Sequence, residues 1–249
     1  MTKTQIDRLG ERLRKGDVAE ADLRLLDFYR RSFAEAYANV VGVIRNELAL
    51  EPTGRPAKST SSILEKLQRE SVRLSQIQDI AGCRVVVADI PAQERVLGQL
   101  IHIFSKAHIV DRREHPSHGY RAVHVVVNVG DKLIEVQIRT ALQHIWAELS
   151  EKFSDLIDPT IKYGGGPEEV RELLTATSNS VANAELAERQ LFGILAKSPP
   201  EDMLPDGVRA QIAQVRDNLM ARKQDIAKLL QAVITLMPKG KGRKGAVPD

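Results

Sequence analysis

The sequence predicts an α+β fold in which a mixed β-sheet is flanked by helices, with helical extensions at both ends. Three observations carry this prediction. Residues 119–139 alternate as a β-hairpin, residues 80–88 form an apolar run typical of a buried strand, and both ends of the chain show helical periodicity. A strand, a helix and a further strand precede the hairpin, and this order is typical of a mixed sheet.

The hairpin is predicted from its two-residue period. Gly130 and Asp131 suit a two-residue turn, which pairs Val129 with Lys132 and places His124 opposite Gln137. One face is then aliphatic: Val123, Val125, Val127, Val129, Ile134, Val136 and Ile138. The other face carries Tyr120, His124, Glu135, Gln137 and Arg139. Such a concentration favours the floor of a functional site over an ordinary half-exposed hairpin.

The remaining elements follow from periodicity and from helix-breaking residues. Helices are predicted at 4–15, 18–48, 60–73, 91–104, 140–153 and 206–236, with strands at 80–88 and 107–112. Prolines and glycines break the chain at 51–56, 164–167 and 198–200. The predicted organisation is N-terminal helices at 1–50, a core at 51–156, a helical region at 157–237 and a disordered basic tail at 238–249.

Composition limits the class of protein. No apolar run approaches the roughly 20 residues that span a bilayer, and the first residues lack the apolar core of a signal peptide. The single cysteine, Cys83, has no partner for an internal disulfide. These features predict a cytoplasmic protein with no membrane contact. A net charge of +3 does not require a nucleic-acid partner but suits a local pocket for an anionic nucleotide.

Several charged residues stand where a site could form. Ser62, Lys66, Arg69 and Arg73 share one sector of the helix predicted at 60–73, with Lys58 just before it. This sector is either a solvated cationic face or an anion site. Arg84, inside an apolar strand, needs an anionic partner, either a phosphate or an acidic side chain. Asp79 either begins that strand as a turn residue or serves a site.

Three segments resemble the synthetase domain of the RelA/SpoT family, which makes the alarmones ppGpp and pppGpp. They are residues 119–124 (GYRAVH), 135–140 (EVQIRT) and 143–148 (QHIWAE), and the resemblance runs from about Arg55 to Phe153. It implies a nucleotidyltransferase-like fold. Because the chain has no adjacent His-Asp pair, it resembles the stand-alone small synthetases, which carry no hydrolase domain.

The resemblance implies a role for particular residues. Asp79 and Glu135 are the expected catalytic residues and Mg²⁺ ligands. The expected ATP-binding residues are Arg55, Lys58, Ser62, Lys66, Arg69 and Arg84. The expected acceptor-binding residues are Tyr120, His124, Gln137 and Arg139. The chain departs from the family pattern twice, because Arg55 stands one position too far from Lys58 and Pro116 replaces a lysine, for which His115, His118 or Arg112-Arg113 could substitute.

The leading functional expectation is transfer of the β,γ-pyrophosphate of ATP to the 3′-hydroxyl of GDP or GTP. One alternative is a toxin-like enzyme that modifies the 3′ end of tRNA, and another is a non-catalytic nucleotide-binding scaffold. The last helix carries an apolar stripe: Val208, Ile212, Val215, Leu219, Ile226, Leu229 and Val233. This stripe either folds back on the N-terminal helices, forms a homo-oligomer or docks a neutralising partner.

Overall fold

A computed structural model describes residues 1–16 and 18–238. Its helices are α1 (Lys3–Lys15), α2 (Glu20–Arg31), α3 (Ala34–Leu48), α4 (Thr60–Arg69), α5 (Ile90–Ile103), α6 (Ala141–Leu156), α7 (Glu168–Leu195) and α8 (Asp206–Leu236). Its strands are β1 (Thr53–Arg55), β2 (Ala81–Val87), β3 (His108–Asp111), β4 (Val123–Val129) and β5 (Lys132–Thr140).

The five strands form one mixed sheet in the order β1-β2-β5-β4-β3. β4 and β5 pair antiparallel in the predicted register, with Val129 opposite Lys132 and His124 opposite Gln137. Gly130 in the turn has φ 66°, as a primed hairpin turn requires. The sheet and its helices confirm the predicted α+β class.

The chain divides into two compact units. Unit 1 contains residues 1–85, 96–110 and 123–138, and unit 2 contains residues 86–95, 111–122 and those described from Arg139 onward. Buried aliphatic side chains from α1, α4 and the hairpin belong to the core of unit 1, among them Leu9, Leu67 and Ile134. The core of unit 2 is built around α6, where Trp146 and Leu149 cluster with Leu230 of α8.

The single helix predicted at 18–48 was wrong, because the structure divides it into α2 and α3 at Ser32 and Phe33. The Ser32 hydroxyl donates to the Tyr29 carbonyl at 2.6 Å, and the Phe33 N–H donates to the Arg30 carbonyl. These bonds tighten the last turn and end the helix. The Phe33 ring packs edge-on against the Tyr29 ring at 5.2 Å, and the Lys132 ammonium lies over both rings.

Two predictions around α4 also need correction. The helix ends at Arg69 rather than Arg73, because Glu70 adopts an extended conformation, so Arg73 does not share its basic sector. The break predicted at 51–56 contains the short strand β1, which pairs antiparallel with β2 and places Gly54 opposite Cys83. A side chain at Gly54 would collide with β2, so only glycine fits there.

The long last helix, α8, is buried only near its C-terminal end. Leu230 is buried, whereas Val208, Val215 and Leu229 of the predicted stripe are exposed. The helices α6 and α7 pack against α8, so the predicted packing of the stripe on the N-terminal helices was wrong. Self-association or partner binding through the exposed stripe stays a prediction, which light scattering at micromolar concentration tests.

Two further predictions concern the membrane and the tail. Among the described residues, no helix is long and apolar enough to cross a membrane. The basic tail predicted at 238–249 lies, apart from Pro238, outside the described residues.

Candidate active site

Asp79, which immediately precedes the buried run of β2, is held between two lysines in unit 1. Its Oδ2 accepts a hydrogen bond from Lys58 Nζ at 2.5 Å, and its Oδ1 accepts one from Lys66 Nζ at 2.9 Å. Lys58 lies just before α4, and Lys66 projects from that helix two turns later. Both lysines are therefore directed at one carboxylate, which rules out a simple solvated stripe for these two residues.

The lysines determine the charge state of Asp79. Burial of the side chain raises its pKa, but attraction and hydrogen bonds from Lys58 and Lys66 outweigh burial and lower the pKa to about 2. Asp79 is consequently ionised at neutral pH. The cluster formed by Lys58, Lys66 and Asp79 is here called the lysine cluster, and its Lys66 also lies 3.9 Å from Glu70. Two ammonium groups that converge in this way suit an anionic ligand.

Glu135 lies in the middle of β5 and is held by its strand neighbours. Its Oε1 lies 2.8 Å from Nδ1 of His124 on β4, and its Oε2 accepts a hydrogen bond from Gln137 Nε2 at 2.7 Å. The Glu135 side chain is only 13% exposed. Because His124 is diagonal to Glu135 across the hairpin and Gln137 is two positions further along β5, the predicted register brings the three together.

The pKa of Glu135 depends on its burial, on its two strand neighbours and on the charge of Asp79. Burial raises the pKa of Glu135, but the hydrogen bonds and charge interaction with His124 and the bond from Gln137 leave it below its ordinary value, although Asp79 raises it. Asp79 and Glu135 are thus two ionised carboxylates of unit 1, and oxygen donors of this kind suit a divalent cation.

A magnesium ion fits this donor set. Mg²⁺ prefers oxygen ligands, and in nucleotide sites it takes one or two carboxylates, substrate phosphates and waters. A site with two protein ligands is sufficient for it. In the part of the chain that the structure describes, no group of three or more His, Cys, Asp or Glu side chains could hold a metal.

The other candidates for ATP binding differ in their surroundings. Arg55 is exposed at the end of β1. At the start of α4, the Ser62 hydroxyl accepts a hydrogen bond from the Ser59 hydroxyl. Arg69 forms an ion pair with Glu70. Arg84 is half-buried in β2, and among the described residues its Nε has no hydrogen-bond partner and its guanidinium has no carboxylate at ion-pair distance. Of the two partners expected for Arg84, the acidic side chain is not found among them.

Tyr120 and Arg139 form a pair of their own in unit 2. Arg139 Nη2 donates to the Tyr120 hydroxyl at 3.1 Å, and the guanidinium carbon lies 5.0 Å from the centre of the ring. The preceding Gly119 has φ 87°, and a side chain there would collide with Trp146. Trp146 is buried and its indole N–H donates to the Leu174 carbonyl, as expected of a core residue.

The loop around Pro116 contains the residues considered as substitutes for the family lysine. His115 and His118 are exposed, and His118 adopts a positive φ of 52°. Arg113 is not available for a phosphate, because its guanidinium forms ion pairs with Asp111 and Glu94 and its side chain is only 10% exposed. The histidines and Arg112 therefore remain as the candidates in this loop.

Sequence reasoning missed two arginines that contact the segment around α4. Arg30 of α2 donates to the Lys58 carbonyl at 2.6 Å, and Arg14 of α1 donates to the Leu67 carbonyl at 2.8 Å. Both arginines lie in helices whose sequences show only the usual amphipathic pattern. No local signal identifies a contact to a carbonyl 28 or 53 residues away.

Comparison with known proteins identifies the family. The family described as a region found in RelA / SpoT proteins matches residues 54–154. The GTP pyrophosphokinase YjbM of Bacillus subtilis is 34% identical over 160 residues, which are 57% of this chain and 71% of that protein. The chain belongs to the RelA/SpoT family, whose members of this type are GTP pyrophosphokinases. The family predicted from the three motifs is thus confirmed.

A further relative and two solved structures are also similar to this chain. An uncharacterized protein of Mycobacterium tuberculosis is 34% identical over 174 residues, but the match spans only 63% of that protein's length and 66% of this chain. The crystal structure of small alarmone synthetase 1 from Bacillus subtilis superposes with a TM-score of 0.50 at 25% identity, covering 72% of this chain and all of that one. The same synthetase bound to its product pppGpp gives 0.51 at 24% identity, which supports the fold.

Proposed function

We propose that this chain transfers the β,γ-pyrophosphate of ATP to the 3′-hydroxyl of GDP or GTP. The observation that carries the proposal is the lysine cluster, in which Lys58 and Lys66 converge on Asp79, together with the influence of Asp79 on the ionised Glu135. The name of the relative YjbM, a GTP pyrophosphokinase, supports the same reaction.

The donor side is proposed to be the lysine cluster. Both ammonium groups now bind Asp79, and Lys66 also lies 3.9 Å from a Glu70 carboxylate oxygen. Each ammonium group is a flexible point charge that can turn to a phosphate oxygen when ATP binds. Arg84, with a buried Nε that lacks a hydrogen-bond partner among the described residues, is a further phosphate ligand. Arg55, Ser62 and Arg69 stay candidates for the outer parts of ATP.

Glu135 is proposed to orient the acceptor. As an ionised carboxylate it accepts a hydrogen bond from the 3′-hydroxyl, which directs the oxygen at the β-phosphorus. The oxygen bonds to that phosphorus while the bond to the α,β-bridging oxygen breaks, so AMP leaves and the proton passes to Glu135 or to water. Mg²⁺ held by Asp79 and Glu135 would neutralise charge on the phosphates.

The acceptor is proposed to stack on Tyr120. A tyrosine ring offers a flat surface for a guanine base, and Arg139 supplies a cation for its phosphates. His124 and Gln137, on the polar face of the hairpin, are proposed to contact the acceptor ribose or phosphates.

The decisive experiment uses the full chain with γ-labelled ATP, Mg²⁺ and separately GDP, GTP, ADP or bulk tRNA. The expected result is label in GDP or GTP with one AMP formed for each product. Label in tRNA alone would reject the guanine-nucleotide acceptor and favour the toxin-like alternative. No AMP with any acceptor, from protein that is folded by circular dichroism, would favour the non-catalytic scaffold.

A further inference from the structure

The donor helix α4 is contacted at both ends by arginines from helices that lie outside the matched residues 54–154. Arg30 of α2 reaches the segment that enters α4, and Arg14 of α1 reaches the segment that leaves it. All of these residues belong to unit 1. The two contacts enclose the stretch that carries Lys58 and Lys66.

Arg30 holds the main chain of Lys58. Its Nε donates to the Lys58 carbonyl at 2.6 Å and its Nη1 to the Thr60 hydroxyl at 3.1 Å, while Asp27 accepts from the same Nη1 at 3.3 Å. The Arg30 side chain is only 19% exposed. On the other side, the Lys58 N–H donates to the Ile80 carbonyl at 2.6 Å. Both main-chain polar groups of Lys58 are therefore engaged.

Arg14 holds the opposite end of the helix. Its Nε donates to the carbonyl of Leu67, the residue after Lys66, at 2.8 Å, and its Nη2 donates to the carbonyls of Glu70 and Val72. Carbonyls in the last turn of a helix have no partner within the helix, and a cation there is favoured by the helix dipole. The contact therefore satisfies the Leu67 carbonyl at the end of the helix, where Glu70 turns into an extended conformation.

We infer that Arg30 and Arg14 are positioning residues for ATP, because they fix the backbone from which Lys58 and Lys66 reach their common target. This inference rests on the proposed function. A lysine stem is flexible, so the region that its ammonium can reach depends on where its backbone is held. In binding and catalysis, a misplacement of about 1 Å can cost on the order of 10²-fold.

The competing explanation is that the arginines only stabilise the fold. A double-mutant cycle separates the two, since residues that act through one another show non-additive effects whereas a general loss of stability adds in both backgrounds. The cycle comprises the wild type, Arg30→Gln, Lys58→Ala and the double variant. The measured quantity is the affinity for a non-hydrolysable ATP analogue, with thermal melting followed in parallel.

Arg30→Gln is expected to lower the affinity for the ATP analogue about tenfold, which is the loss typical of a charge-assisted hydrogen bond. In the Lys58→Ala background the same change should cost less than about twofold. The affinity for GDP should stay within about twofold of wild type in every variant. Arg24→Gln is the matched control, because Arg24 lies on the same helix but pairs with Glu20 and is 70% exposed.

Arg30→Lys provides a second test if Arg30→Gln melts early. A lysine can replace the bond to the Lys58 carbonyl or the bond to the Thr60 hydroxyl but cannot span both acceptors, so an intermediate loss of affinity is expected. Arg14→Lys should behave likewise, with Lys15→Gln as its control. If the wild type binds the analogue, two results would overturn this inference and leave the proposed function standing. One is additive losses in the cycle, and the other is an affinity in the Arg30 and Arg14 variants equal to that of the wild type. A folded wild type that does not bind the analogue would overturn the proposed function as well.

Discussion

Two carboxylates of unit 1 are both kept ionised, but their surroundings differ in kind. Asp79 lies between the ammonium groups of Lys58 and Lys66, which are full charges on flexible stems. Glu135 lies between His124 and Gln137, which are short side chains on two paired strands. The first surrounding can change when a ligand arrives, whereas the second is fixed by the hairpin.

Within the proposed function, we assign a separate task to each carboxylate on the basis of this difference. The lysines can leave Asp79 for phosphate oxygens, and an ionised Asp79 then has both oxygens available for a cation. The partners of Glu135 remain in place, so its carboxylate keeps one orientation toward an acceptor hydroxyl. A rigid frame suits the group that aligns the reacting atoms, and a flexible one suits charge balance.

The largest effect is expected at the rigid carboxylate. Glu135→Gln keeps the shape but removes the charge, so turnover should fall by at least ~10²-fold while the affinity for ATP changes much less. Steady-state kinetics with analogue titration measures both quantities. Asp131→Asn, which removes a charge from the exposed hairpin turn, is the matched control. A fully active Glu135→Gln enzyme would remove Glu135 from the mechanism.

The flexible carboxylate should respond differently. Asp79→Asn is expected to lower turnover by tens of fold, on the order of the loss of one electrostatic group, and raised Mg²⁺ or Mn²⁺ should restore part of the rate. Glu51→Gln, which removes an exposed acid paired with Arg45 outside the lysine cluster, should leave the rate nearly unchanged. If metal restores Glu135→Gln and not Asp79→Asn, the tasks of the two carboxylates are reversed.

The lowered pKa of Asp79 also predicts how the ion pairs with Lys58 and Lys66 contribute to the free energy of unfolding. Its fall from 3.8 to about 2 on folding corresponds to about 2 kcal/mol of free energy of unfolding. A lowered pKa stabilises the protein above the unfolded value, and this contribution is lost as the pH falls from about 4 toward 2.

Urea unfolding of wild type and Asp79→Asn should therefore differ by about 2 kcal/mol at pH 7, with the difference shrinking below pH 4. A difference that stays constant at low pH would show that the loss in Asp79→Asn does not come from its charge.

The smallest expected effects separate donor from acceptor. Lys66→Ala should lower the affinity for ATP about tenfold, because one charged contact is lost, and leave the affinity for GDP unchanged. Tyr120→Ala should do the reverse, since stacking on an aromatic side chain is worth roughly 1–3 kcal/mol per base. Calorimetric titration with each nucleotide measures both. If both substitutions weaken ATP alone, the division between the lysine cluster and the hairpin is wrong.

The hairpin was predictable in detail because its information is local. The two-residue period and the Gly130 turn fix the register, and the register brings Glu135, His124 and Gln137 together. The length of α4 was not predictable in the same way. Its sequence remains compatible with a helix up to Arg73, but in the folded chain Glu70 is extended and a side chain from α1 satisfies the Leu67 carbonyl at the helix end.

The sequence by itself determined the fold class and the strand frame around Glu135, because alternation and turn chemistry act between neighbours along the chain. The family came from the resemblance of three short motifs within residues 119–148. Only the tertiary structure decided that Lys58 and Lys66 share Asp79, that Arg30 and Arg14 hold α4, and that α6 and α7 cover α8. These contacts join residues far apart in the chain, and folding selects their partners through burial and hydrogen bonding across the whole core, for which local sequence carries no signal.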